Sequence, residues 1–202
     1  MSGLPILLEG SAVRALVVGG GAVAARKVAA LVAAGAHVRV VAPLIHESLR
    51  TVTGDGRVEV VKRRYQREDI GDAQLVIAAT DDRSVNAAVA ADAGAAGRLV
   101  NVADVPADGS FATMATHRSG ALVVAVSAGG VPGAAARIRD AIAARFDSRY
   151  ARALAQLSAV RRELLDRGEG AAWRTRADEI LDADFCDAVE RGAVSDRVAS
   201  WR

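Results

Sequence analysis

The run Val17-Val18-Gly19-Gly20-Gly21-Ala22-Val23-Ala24 constrains this chain more than any other. It fits G-x-G-x-x-A, set between an apolar run at residues 15–18 and a stretch of helix formers at residues 22–34. A buried parallel strand turning sharply into a helix satisfies that pattern. Gly19 permits the tight turn, Gly21 puts no side chain in front of a diphosphate, and Ala24 lets the helix lie close on the strand. The first N–H groups of the helix are free to bind phosphate. A simple tight turn would also use glycines. The flanking strand and helix favour nucleotide binding.

The rest of the first hundred residues continues the alternation. Residues 37–41 read as a second strand stopped by Ala42-Pro43, with a short helix through Glu47–Val52 and a turn at Gly54-Asp55-Gly56. Val58–Val61, Leu75–Ala79 and Leu99–Val102 read as three more strands. Ser84–Ala96 reads as a helix with Ser84 as its N-cap. After Pro106 the pattern changes. Phe111–Met114 and Leu122–Val126 are expected strands outside the first sheet, and Gly129-Gly130-Val131-Pro132 leads into a helix near 134–146. From Tyr150 the pattern is helical, with a break at Gly168-Glu169-Gly170. The expected fold class is α/β: a Rossmann-type parallel sheet over residues 1–110, a small α+β segment over 111–148 and a helical tail over 149–202.

Aromatic residues make up 3% of the chain, so the core must be built from Val, Leu, Ile and Ala. The net charge of +2 suits an anionic small ligand better than nucleic acid. One cysteine, Cys186, excludes an internal disulfide and a thiolate metal cluster. No basic leader precedes an apolar run, and no uncharged stretch approaches a spanning helix, so a cytoplasmic protein without membrane contact is expected.

Ligands of a parallel sheet gather at the carboxyl ends of its strands. Besides the glycine loop, that edge would carry Arg63-Arg64-Tyr65, Thr80-Asp81-Asp82 and Asn101-Val102-Ala103-Asp104. The second strand ends in Val41-Ala42-Pro43-Leu44 with no acid for an adenosine ribose, which leaves NAD or NADP open at this point. Thr80 either contacts cofactor or ends its strand. Asp81 and Asp82 precede a helix and read as caps. Asp104 follows an apolar strand and precedes Val105-Pro106. It reads either as a base beside a nicotinamide or as a turn aspartate. Arg118, Arg137 and Arg139 are candidates for substrate carboxylates, with a solvated helix face as the alternative for the last two. His37, His46 and His117 lack metal-ligand spacing.

Five motifs occur in order: Leu4-Pro5-Ile6, Val18-Gly19-Gly20-Gly21-x-Val23-Ala24-x-Arg26-Lys27, Ala78-Ala79-Thr80-Asp81-Asp82 with Asn86, Asn101-Val102-x-Asp104, and Ala125-Val126-Ser127-x-Gly129-Gly130. Together they resemble the precorrin-2 dehydrogenase / sirohydrochlorin ferrochelatase family, the dehydrogenase module of siroheme synthase, over residues 4–150. The resemblance implies NAD-dependent oxidation of precorrin-2 to sirohydrochlorin, and in some members insertion of Fe²⁺ as a substrate. It implies dinucleotide contacts at Gly21, Ala22, Val23, Pro43 and Leu44, joined by Gly19 and Thr80. Asp104 would be the essential aspartate, and Phe111–Arg145 the segment forming a homodimer. Asn101, Arg118, Ser127, Gly129 and Gly130 are the substrate-binding candidates near the implied tetrapyrrole pocket; no protein metal site is expected. Ala128 stands where some members have serine, and Val131-Pro132-Gly133 replaces the usual Ser-Pro. The length leaves no room for a fused methyltransferase, so another protein is expected to supply precorrin-2. A non-catalytic nucleotide- or tetrapyrrole-binding module is the alternative.

Overall fold

The computed structural model describes residues 3–52 and 56–201. The chain divides into two compact units, one ending at Thr113 and the other starting at Met114.

The first unit is built on a five-stranded parallel sheet with the order β3-β2-β1-β4-β5. Its strands are β1 (Arg14–Val18), β2 (His37–Val41), β3 (Val58–Val61), β4 (Leu75–Ala78) and β5 (Leu99–Val102). Three helices connect them: α1 (Ala22–Ala33), α2 (Glu47–Arg50) and α3 (Arg83–Ala95). The apolar runs become strands because both faces of the sheet are covered. Alternation sends Ala15, Val17, Val38, Val40, Leu75 and Ile77 to one face, where Ala24, Ala25 and Val28 of α1 and Leu49 of α2 pack on them. Leu16, Val18, Val41, Val76, Ala78, Val100 and Val102 face the other way, onto Val89 and Ala93 of α3. Both layers are made of small aliphatic side chains, as the composition demands, and neither contains a tryptophan.

Register decides what the sheet can present. Val18 pairs with Val41 and Ala78, Val41 with Val61, and Ala78 with Val102. All five strands therefore end level, and the five loops that follow them share one edge. The strand order reverses between β1 and β4, the place where such sheets open a crevice.

Two local expectations are corrected. Asp82, not Ser84, caps α3: its carboxylate accepts the backbone N–H groups of Ser84 and Val85 at 2.9 and 3.3 Å. Phe111–Met114 is not a strand. The N–H groups of Ser110 and Phe111 both donate to the Val100 carbonyl, so the segment is pinned to β5 at one point without forming a ladder. Gly56 lies in a turn, and Gly54 and Asp55 of the expected turn lie outside the described residues.

The second unit opens with an antiparallel hairpin of β6 (Ala115–Ser119) and β7 (Leu122–Val126), turning through Gly120 at φ +59°. Five helices follow: α4 (Pro132–Arg145), α5 (Ser148–Asp166), α6 (Gly170–Ile180), α7 (Phe185–Glu190) and α8 (Ala193–Ala199). Tyr150, Ala153, Leu157, Val160 and Leu164 recur at helical spacing along α5 and form a buried stripe. It packs with Ile180, Ala188, Val189, Val194 and Val198, and Trp173 and Trp201 flank this core. His117 and Ser119 bind the carbonyls of Phe146 and Asp147, tying the hairpin to the corner between α4 and α5.

Candidate functional site

A cleft of about 810 Å³ opens at the level edge of the first unit's sheet. Its floor is the glycine loop after β1. One wall is Ala42–His46 after β2, with Arg64 and Tyr65 after β3. The other is Ala79–Asp82 after β4 with the head of α3. The cleft thus sits at the switch point between β1 and β4, which the strand order had marked.

The three glycines serve different purposes. Gly19 has φ +129°, and a Cβ there would lie 2.2 Å from the Ala79 carbonyl oxygen. At Gly20 a Cβ would lie 1.9 Å from the Leu44 carbonyl oxygen. These two positions let β1's loop wedge between the ends of its neighbours, where Gly19 N–H donates to Val41 and the Gly20 carbonyl accepts from His46. Gly21 is different: an added Cβ meets nothing within 4 Å. The face above Gly21 is open, and it borders the cleft. Gly21 is also the N-cap of α1 with no side-chain hydrogen bond, and the first turn carries no acid. A helix start left uncapped above a bare glycine fits a dinucleotide's diphosphate. Ala22 and Val23, the first residues of α1, bring exposed N–H-bearing backbone to this point, while Ala24 is fully buried against the sheet.

Pro43 and Leu44 line the cleft, and Leu44 is 83% exposed. A wide apolar surface left open in this way suits a nucleoside face. His46 accepts the Ser48 N–H at 3.2 Å and caps α2. Arg64 reaches the cleft as its cation. Tyr65 donates to Asp92 at 3.0 Å, and burial with that bond holds its hydroxyl proton well above the ordinary tyrosine range. Asp82 is held below its usual range, first by the Ser84 hydroxyl and then by the N–H groups of Ser84 and Val85. Its charge serves the helix and not the ligand.

Thr80 stands at the rim of the cleft, anchored by Asn86 from the second turn of α3. The Asn86 Oδ1 accepts from the Thr80 N–H at 3.1 Å and its hydroxyl at 2.8 Å, and Nδ2 donates to the Thr80 carbonyl at 3.0 Å. The same Nδ2 donates to Asp104 Oδ1 at 2.9 Å. Asp104 is exposed in the loop after β5 and does not itself line the cleft. It is one hydrogen-bonded residue away from the wall that does. Asn101 is buried. Its Nδ2 donates to the Phe111 carbonyl at 3.0 Å, and its Oδ1 has no partner among the described residues. Arg118 on β6 and Ser127, Gly129 and Gly130 after β7 are exposed and belong to the second unit.

Gly19, Gly21, Pro43, Leu44 and Thr80 thus share one cleft, with Ala22 and Val23 at the adjoining helix start. Sequence reasoning placed Asn86 and Gly20 in motifs but gave neither a role of its own. An asparagine within a helix that alanine would favour was the available clue to the first. The second depends on a carbonyl 24 residues away in sequence, which no local pattern reveals.

Residues 6–115 match the family described as "Putative NAD(P)-binding". The chain belongs to this family of nucleotide-binding proteins. More particularly, it is similar to siroheme synthases: 36% identical to that of Nitrosococcus oceani over 198 residues, 98% of this chain, and 39% identical to that of Pseudomonas aeruginosa over 193 residues, 93% of this chain. The chain spans about two fifths of the length of these relatives, 41% and 39%. Among solved structures it is similar to "SirC, precorrin-2 dehydrogenase", with a TM-score of 0.76 and 25% identity, covering 98% of this chain and 99% of that one. These likenesses bear out the resemblance drawn from the motifs and the α/β Rossmann-type fold it implied. No helix of the described residues is long and apolar enough to cross a membrane.

Proposed function

We propose that this chain is a cytoplasmic enzyme that oxidises precorrin-2 to sirohydrochlorin with NAD⁺, in siroheme or cobalamin biosynthesis. The observation that carries the reading is the hydrogen-bonded path from Asp104 through Asn86 to Thr80, which ties one carboxylate to the wall of a nucleotide cleft. The similarity to siroheme synthases and to a precorrin-2 dehydrogenase supplies the substrate.

The oxidation removes a hydride and a proton: precorrin-2 and NAD⁺ give sirohydrochlorin, NADH and H⁺. A nicotinamide held in the cleft would supply the hydride acceptor. The chain's residues do the rest. Gly21 and the free amides at Ala22 and Val23 bind the diphosphate. Pro43 and Leu44 pack on the adenosine end, and Gly19 and Thr80 shape the floor and rim. Asp104 accepts the macrocycle proton at Oδ. On the second unit Arg118 pairs with a substrate carboxylate and Ser127, Gly129 and Gly130 contact the tetrapyrrole; on the first, Asn101 is a further substrate-binding residue. With Fe²⁺ as a second substrate, the same carboxylate takes a pyrrole N–H proton during metal insertion. The segment Phe111–Arg145 forms a homodimer, which sedimentation of the purified protein checks directly.

A specific observation favours a second cofactor reading. No carboxylate follows β2, and Arg64 enters the cleft, an arrangement compatible with a 2′-phosphate. Parallel titrations with NAD⁺ and NADP⁺ separate the two.

Asp104→Ala tests the central claim. Loss of a general base lowers turnover by about 10²- to 10⁴-fold. NAD⁺ affinity should stay within about twofold, because the cleft is intact. Normal sirohydrochlorin formation by this variant would remove Asp104 from the mechanism. A wild-type chain that binds NAD⁺ yet forms no sirohydrochlorin would leave a binding module.

A further inference from the structure

We infer that Asn86 is a positioning residue for the oxidation, its buried carboxamide fixing the Asp104 carboxylate to the turn that walls the nucleotide cleft. The inference rests on the reading of Asp104 as the base.

Asn86 is 1% exposed in the first half of α3, where a small aliphatic residue would pack at lower cost. Its burial is tolerable because its capacity is fully used. Two amide hydrogens meet the Thr80 carbonyl and Asp104, and the amide oxygen meets the Thr80 N–H and the Thr80 hydroxyl, whose one proton it shares with the Asp82 carbonyl at 3.0 Å. The orientation of the amide is fixed by chemistry. The Thr80 N–H can only donate, so Oδ1 must face it, which leaves Nδ2 for the Thr80 carbonyl and for a carboxylate that only accepts.

Three of these bonds are enough to pin the Thr80 turn. The fourth goes to an exposed side chain on another loop, after another strand, and adds nothing to the turn. Its effect falls on Asp104. Among the described residues it is the one hydrogen bond that carboxylate makes. An exposed aspartate otherwise samples several rotamers. Held at 2.9 Å by a group that cannot move, it keeps one position relative to Thr80, and hence to whatever the cleft holds. One buried side chain sets the separation between base and cofactor wall.

Asn86→Asp is the direct test, because it keeps the volume and the acceptor oxygen for Thr80 but turns an oxygen toward Asp104, and toward the Thr80 carbonyl as well. The expected result is a fall in kcat of about tenfold or more, with KM and NAD⁺ affinity within about threefold. Two carboxylates at hydrogen-bond distance cannot both ionise freely, so the acid limb of the kcat–pH profile should move up by about one unit or more. The charged residues on the segments that carry this path are Asp81, Asp82 and Arg83 at the head of α3, Arg64 lining the cleft and Asp108 after Asp104. They are the same in both proteins and cannot cause the difference. A residue that merely stabilised the turn would not shift that limb.

Asp104→Glu changes only an exposed residue and decides the matter if the first variant fails to fold. One extra methylene carries the carboxylate past the Asn86 amide, and kcat should fall about tenfold with NAD⁺ affinity unchanged. Full turnover in Asp104→Glu, or Asn86→Asp with wild-type kcat and an unmoved limb, would overturn this inference alone. A wild-type chain that makes no sirohydrochlorin would overturn the base assignment and this inference together.

Discussion

Two loops of this molecule follow the same plan and reach it by different physics. In the first unit β1 ends in Gly19-Gly20-Gly21 and turns into α1. In the second β7 ends near Gly129-Gly130 and turns into α4. At Gly19 and Gly20 a side chain would strike backbone carbonyls at 2.2 and 1.9 Å. At Gly129 and Gly130 it would meet nothing within 4 Å, yet φ is +58° and +87°. The first pair is dictated by crowding, reinforced at Gly19 by φ +129°, the second by conformation alone. Gly21 fits neither case, with an extended backbone at φ −84° and ψ −175° that any residue adopts. Glycine there is required by neither the fold's packing nor its dihedrals, and of the three it is the position a substitution can probe for ligand binding without unfolding the loop.

Substitutions separate the three cases. Gly20→Ala should do most damage, because the Leu44 carbonyl cannot yield: a loss of about 3 kcal/mol or more is expected, read as a collapse of the denaturation midpoint. A stable Gly20→Ala protein would mean the loop is looser than its geometry. Gly21→Asp should leave the fold intact or slightly firmer, since aspartate is a good N-cap. It should also cost NAD⁺ at least about a hundredfold in affinity, near 2.7 kcal/mol, by placing a charge where the diphosphate sits. Unchanged calorimetric binding would break the contrast on which the cofactor site rests. Gly129→Ala should cost about 1–2 kcal/mol of stability from the left-handed backbone alone, with no steric component.

The smallest effect concerns the helix starts. α1 is left without a side-chain cap, whereas α3 is capped by Asp82, whose pKa is depressed by its bonds to Ser84 and Val85. A depressed carboxylate stabilises the fold above its unfolded pKa, about 3.9, and loses that contribution as pH falls through the lower folded value. Asp82→Ala should therefore lower the thermal midpoint near neutrality, and the gap from wild type should close on acidification. A gap that persists at the acid end would assign it to packing.

Where the fold depended on neighbours in sequence, it could be read from sequence. The strands of the first unit are short apolar runs between turns, and all five begin and end within one residue of expectation. The hairpin was harder. Ala115–Ser119 reads Ala-Thr-His-Arg-Ser, too polar to announce a strand, while the more apolar Phe111–Met114 is held by Asn101 and the Val100 carbonyl instead. Ser84 and Asp82 are both good capping residues, and only the turn geometry selects the aspartate. The dinucleotide cleft was legible because its residues lie in short motifs at strand ends. The link from Thr80 to Asp104 was not, because Asn86 reaches six residues back and 18 forward, and no periodicity encodes such a span.

The division of the two cores by side-chain size has an optical consequence. Both tryptophans, Trp173 and Trp201, flank the helical core of the second unit, and the sheet of the first has none. Indole emission therefore reports the melting of the C-terminal helices, and the first unit contributes no indole of its own to that signal.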